Sequence, residues 1–161
     1  MTAKKLARTS LLCALALIVH LIESRIPPFF PFPGIKLGLA NAVALAALLS
    51  LGAGSAALVQ TGRIILGAVF GGGASAFLYS AAGGGVSLLV TLLIYRRFGR
   101  RLAFVTGAAG GVAHNLAQLC VAALITRTPQ IAVYAPVLTS FGIICGSLTG
   151  LLASLVTRAE Y

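Results

Sequence analysis

Aspartate is absent from this chain and acid of any kind is nearly so: among 161 residues the only acidic side chains are Glu23 and Glu160. A prenyl-diphosphate synthase acting alone needs carboxylate oxygens to hold Mg²⁺ against the diphosphate, so that chemistry is excluded. A relay of intramembrane acids for proton-driven pumping is excluded by the same shortage. Tryptophan is missing too, and the three cysteines, Cys13, Cys120 and Cys145, stand far apart in apolar runs. Without CxxC or Cys/His spacing they cannot hold a metal, and they are expected to be buried as small hydrophobes. The glycines at 71–73 lack the lysine and following hydroxyl of a phosphate-binding loop and read as a connection between helices. No metal or cofactor is expected, and the chain reads as a non-enzyme.

Charged residues make up 9% of the chain against 59% hydrophobic, with mean hydropathy +1.04. Soluble domains carry about 25% charge, so the solvent for this chain is lipid and the fold class is an all-α integral membrane protein. The net charge of +10 and the pI near 10.6 would suit nucleic acid in a soluble protein. Here the basic residues form short clusters between apolar runs with no interleaved aromatics, so no nucleic-acid partner is expected. Lys4, Lys5 and Arg8 before an apolar run resemble a signal peptide, but no small-residue cleavage site follows, and the run reads as a first membrane helix.

Cut at charges, prolines and glycine clusters, the apolar runs give six spans, 6–23, 37–51, 55–70, 75–95, 102–126 and 131–157, against the roughly 17–25 residues a crossing needs. The second and third are short and only the stretch 51–54 separates them; one long helix there would leave five crossings. Charge decides for six. Lys4, Lys5, Arg8, the cluster Arg96, Arg97, Arg100 and Arg101, and Arg158 then share one side, against Arg25, Lys36 and Arg127 on the other. By the positive-inside rule both termini are cytoplasmic.

Small residues recur at spacings that let helices approach closely in lipid: Gly107 with Gly111, Gly142 with Gly146 and Gly150, and a stripe of Ser75, Tyr79, Gly83 and Ser87. Four of the six prolines fall within 26–34 beside Phe29, Phe30 and Phe32. That segment cannot be helical and reads as a stiff outer lid or an interfacial anchor.

The polar residues inside the spans are few enough to take singly. Arg63 leads, because an ionisable group at membrane depth costs about 2.5 kcal/mol or more on insertion scales and normally faces a cavity or ligand. Gln60 lies three residues before it on the same helix face. His114, Asn115 and Gln118 share one face of the fifth span, Asn41 interrupts the second, Tyr79 and Ser80 the fourth, and Lys36 opens the second at its outer end. Interhelical hydrogen bonding is the alternative reading for Asn41, Gln60 and Gln118. Glu23 is the one acid available to Arg63, with Arg25 and Lys36 competing for it. A donor-rich set with almost no acid suits an anionic ligand or one rich in hydrogen-bond acceptors.

Taken in order, the segment 36–41, Arg63 with Gly67, the segment 77–80 before Gly83 and Gly84, and His114 and Asn115 with Gln118 resemble the Gx transporter family, also called component I of heptaprenyl diphosphate synthase. The resemblance runs from about Ala7 to Ala153. It implies a six-transmembrane-helix bundle in the bacterial cytoplasmic (inner) membrane, similar to the substrate-binding S components of energy-coupling-factor vitamin transporters. It further implies a small-molecule ligand, held by the polar set above, and a separate transmembrane coupling subunit with ATPases, docked through small residues of the first helix; Ala3 with Ala7 and Ser10 with Ala14 have that spacing. Two other roles accompany the family: a non-catalytic membrane component of heptaprenyl diphosphate synthesis, and a membrane component of a flavin- or quinone-linked extracellular electron-transfer system.

Overall fold

Helices in this chain change direction where the backbone turns left-handed. Gly52 adopts φ +90° and Gly73 φ +66°, values at which a Cβ would clash with its own backbone. The first ends one helix and the second begins another. The computed structural model describes residues 1–25 and 38–158, without the side chains at 71, 72 and 158. The proline-rich segment, Lys36 and Glu160 lie outside the described residues. The helices are α1 (Ala3–Arg25), α2 (Leu39–Leu51), α3 (Ala53–Gly67), α4 (Gly73–Phe98), α5 (Ala103–Thr126) and α6 (Ala135–Arg158). A widened π turn (Ala68–Gly72) joins α3 to α4, and 3₁₀ turns at Gly99–Leu102 and Pro129–Tyr134 precede α5 and α6. No strand occurs among the described residues.

By length and composition four stretches are able to cross a membrane: Ala3–Arg25, Ala53–Phe70, Gly73–Thr126 and Pro129–Thr157. The third holds both α4 and α5, which fold back on each other at Gly99. At 13 residues, α2 is about 20 Å long, short of the roughly 30 Å hydrocarbon core, so the expected count of six crossings is not established by length alone. The separation of α2 from α3 is clear, and it rests on Gly52 alone: Gly54, expected in the break, lies inside α3. The glycines at 71–73 are not an open connection either, since helical winding continues through Gly72 before α4 starts.

Apolar character alone does not say which helix is central, because lipid accepts leucine as readily as the protein interior does. Residue size decides. The alanine-rich α2 is buried along Ala44–Leu49, with α1, α3 and α6 packed around it. Larger side chains face outward: Leu11, Leu89 and Leu124 are exposed, as on a lipid-facing surface. Cys120 is exposed as well, and Cys13 and Cys145 only partly covered; the expectation of buried thiols fails because a small apolar side chain can face lipid as readily as the interior.

Contacts along the helices give their directions. Thr9 Oγ1 lies 3.0 Å from Ser55 Oγ, and a Cβ on Gly67 would meet His20 Cδ2 at 2.8 Å, so α1 and α3 run parallel. The α5–α6 pair is antiparallel and close, for a Cβ on Gly111 would lie 2.9 Å from Gly146 Cα and one on Gly107 2.7 Å from Gly150 Cα. Both glycine pairings expected from the spacing meet in this seam. The stripe on α4 is buried at Gly83 and Ser87, while Ser75 is exposed and Tyr79 half-buried. Along the bundle axis the apolar core, with Leu48, Leu49, Ala56, Val59, Ala103 and Ala153, fills the end that carries residue 3. Buried Thr9 and Ser55 lie toward that end too, while Gln60, Arg63, His114 and Asn115 are buried farther along the axis.

Candidate functional site

Gly83 and Gly84 sit side by side on α4, and successive helical positions point about 100° apart. Their missing side chains therefore open two adjoining spaces. A Cβ on Gly84 would collide with Gln60 Nε2 and come within 3.0 Å of Arg63 Nη2; one on Gly83 would lie 2.8 Å from both His114 Cε1 and Gln118 Cγ. Gln60 and Arg63 of α3 thus meet His114 and Gln118 of α5 over a floor of bare backbone, while Asn115, expected on the same face, turns to α6. Gln60 is 3% exposed and Arg63 4%, so the arginine faces the interior and not lipid.

Arg63 Nη2 donates to Asn41 Oδ1 at 3.4 Å, a long contact that links α3 to α2. Gln118 Nε2 reaches the Tyr79 carbonyl oxygen at 3.5 Å, linking α5 to α4. Asn115 Nδ2 donates to the Leu138 carbonyl oxygen at 2.9 Å, which ties α5 to α6. Arg63 Nε, Gln60 Oε1 and Gln118 Oε1 are buried without a hydrogen-bond partner among the described residues. An orphaned buried polar atom costs about 1–3 kcal/mol, and three around one floor call for water or a ligand.

A cavity of about 40 Å³ lies between α2, α3, α4, α5 and α6, with Asn41, Gln60, Ser87, Thr91, His114 and Asn115 in its wall. Ligand sites usually run about 300–1,000 Å³, so this one admits water and is too small for a vitamin-sized solute. Arg63, Tyr79 and Gln118 do not line it. Ser80 is half-buried, and no side-chain hydrogen bond joins it to the cluster among the described residues.

Glu23 does something the sequence did not announce. Its two carboxylate oxygens accept the backbone N–H groups of Leu39 at 2.9 Å and Ala40 at 3.4 Å. It caps the first turn of α2, where the helix dipole favours an anion, and Arg63 takes the Asn41 amide as its direct partner. His20, also missed, packs on Gly67 one turn before Glu23, and both are 8% exposed. Their three-residue spacing on α1 was the available signal. Ala3, Ala7, Ser10 and Ala14 are all exposed and face away from the cluster. Among the described residues no group of His, Cys, Asp and Glu is placed to hold a metal.

The sequence matches the protein family described as heptaprenyl diphosphate synthase component I over residues 12–156. Comparison with curated proteins and with solved structures gives no match.

Proposed function

Because the chain belongs to the heptaprenyl diphosphate synthase component I family, we propose that it is a membrane-embedded, S-component-like binding subunit for a small molecule, working with a separate energising module. The observation that carries this reading is the convergence of Arg63, Gln60, His114 and Gln118 on Gly83 and Gly84, inside a bundle whose outer surface is apolar. A purely structural polar network would be expected to satisfy its members, and this one leaves an arginine donor and two amide oxygens over among the described residues. The ligand is anionic or carbonyl-rich toward Arg63 and has N–H or O–H groups for the glutamines. With a cavity of about 40 Å³, its entry requires the helices around the floor to part. The exposed small residues of α1, Ala3, Ala7, Ser10 and Ala14, are the proposed docking face for the module, and Lys36 a proposed contact at the ligand's entrance.

The family's description favours a second reading, a non-catalytic membrane partner of a diphosphate synthase. Without aspartate the chain itself would supply no Mg²⁺-binding chemistry. A third role, in flavin- or quinone-linked electron transfer, would need protein partners and no ligand. Native mass spectrometry of the detergent-purified protein separates the three. A retained polar small molecule supports the binding subunit, a polyprenyl diphosphate the synthase partner, and protein partners alone the redox role.

Gly84 and Gly85 provide an internal control. In Gly84→Ala the new methyl lands on the movable ends of Gln60 and Arg63, whereas a Cβ on Gly85 meets nothing within 4 Å. Gly84→Ala is expected to lower ligand retention about tenfold or more, since a polar contact to a charged group is worth about 1.5–3 kcal/mol, with the protein still monodisperse. Gly85→Ala should bind as the parent does. Equal binding by both variants places the ligand elsewhere.

Both termini are proposed to be cytoplasmic, with six crossings. In a background lacking Cys13, Cys120 and Cys145, a cysteine at Thr128 should label from outside intact cells and one at Phe98 only after permeabilisation. The reverse pattern inverts the topology.

A further inference from the structure

At the end of the bundle remote from Gly83 and Gly84, the first turns of α1 meet the last turn of α2 around an open cleft of about 330 Å³. Its wall contains Thr2, Lys4, Lys5, Arg8, Ser50 and Leu51. Arg96, Arg97, Arg100 and Arg101 are spread over the end of α4 and the short turn into α5, whereas Lys4, Lys5 and Arg8 are gathered around a concave space. Among the described residues none of the three is paired with a carboxylate or donates a side-chain hydrogen bond. The chain has little with which to neutralise them: Glu23 is at the other end of α1 on the cap of α2, and Glu160 lies outside the described residues.

Among the described residues no carboxylate supplies the counter-charge. We infer that the cleft of Lys4, Lys5 and Arg8 is a second binding site, for a phosphate-bearing anion. Lysine and arginine together supply several charged donors, and a phosphate offers three or more acceptor oxygens. The cleft opens at the helix ends, the level at which basic residues of membrane proteins meet lipid headgroups. An anionic phospholipid is the source that meets the site without diffusing to it; a soluble phosphate would use the same donors.

The test is native mass spectrometry of delipidated protein titrated with phosphatidylglycerol or with phosphatidylcholine, which differ in net charge at equal chain length. Phosphatidylglycerol is expected to be retained about tenfold or more over phosphatidylcholine, as attraction of an anionic headgroup by several nearby cations predicts. Lys5→Gln with Arg8→Gln should remove that preference, while Arg96→Gln with Arg97→Gln, which deletes equal charge, should keep it. Thr2→Asp gives an independent check. Thr2 Oγ1 accepts the Lys5 backbone N–H at 3.3 Å, and an aspartate preserves such a cap while placing a carboxylate among the cations. It should fold as the parent does and lose the preference. Displacement of phosphatidylglycerol by inorganic phosphate assigns the site to phosphate from any source; resistance assigns it to the lipid. Equal retention of the two lipids, or equal loss from the Arg96 and Arg97 variant, overturns the proposal. Neither outcome bears on the cluster at Gly84.

Discussion

Arg63→Lys is expected to weaken ligand retention by about 1.5–3 kcal/mol, the range for hydrogen bonds to charged groups, or about 10- to 150-fold. A guanidinium presents five donors in a fixed fork and a lysine ammonium three on a flexible stem, so the substitution keeps charge and removes geometry. Arg63 Nη2 already engages Asn41 while its Nε has no partner among the described residues; on the proposed reading the fork is partly used by the fold and partly left for a ligand. Stability and binding therefore need separate readouts. Asn41→Ala should lower the thermal midpoint of the ligand-free protein through the lost α2–α3 contact, with interhelical hydrogen bonds worth about 0.6–2 kcal/mol. Arg63→Lys should lower the amount of retained small molecule far more than it lowers that midpoint. If Arg63→Leu yields a more stable protein with undiminished ligand, Arg63 is structural and the binding reading is wrong.

Gly146→Val should abolish monodisperse protein altogether. A Cβ at Gly146 would collide with the Gly107 carbonyl oxygen and lie 2.9 Å from Ala108 Cα, and these are backbone atoms that cannot rotate away. Overpacking a seated side chain typically costs about 1–3 kcal/mol; here relief requires α5 and α6 to move apart along a seam that also includes Gly107, Gly111, Gly142 and Gly150. Size-exclusion chromatography in mild detergent reads the outcome. A sharp, parent-like peak for Gly146→Val would show that the α5–α6 approach is looser than described. Gly54→Val is the matched control, because a Cβ there meets nothing within 4 Å, and its peak should remain sharp.

The membrane environment, the helical segments and the residues fit for close packing were all legible in the chain. Glycine spacing in lipid has few other uses, so a close-packing face at Gly107 and Gly111 and another at Gly142, Gly146 and Gly150 could be read before any coordinates, though not that the two faces meet. Arg63, Gln60, His114 and Gln118 could be picked out for a similar reason: polar side chains are costly in hydrocarbon and their number inside the apolar runs is small. Positions of breaks were less legible, since Gly52, Gly54 and Gly73 look alike until a φ angle distinguishes them, and winding through Gly72 depends on a backbone widening that has no residue signature.

Cost and spacing along one helix are properties of the sequence, and they determined that this chain belongs in lipid and that a handful of polar residues needed an interior. Meetings between helices are not. Short, alanine-rich α2 is the most apolar of the six helices, but lipid accepts an apolar helix as readily as the protein interior does, so hydropathy alone does not say that it lies at the centre. Glu23 stands 16 positions before Leu39, too far for any local rule to make it the cap of α2. Gly83 and Gly84 read as ordinary small-residue packing until α3 and α5 are laid on either side of them. Those facts were decided by tertiary structure alone, because in a solvent that matches the protein's own apolar side chains, the arrangement of helices is set by shape and by a few buried hydrogen bonds.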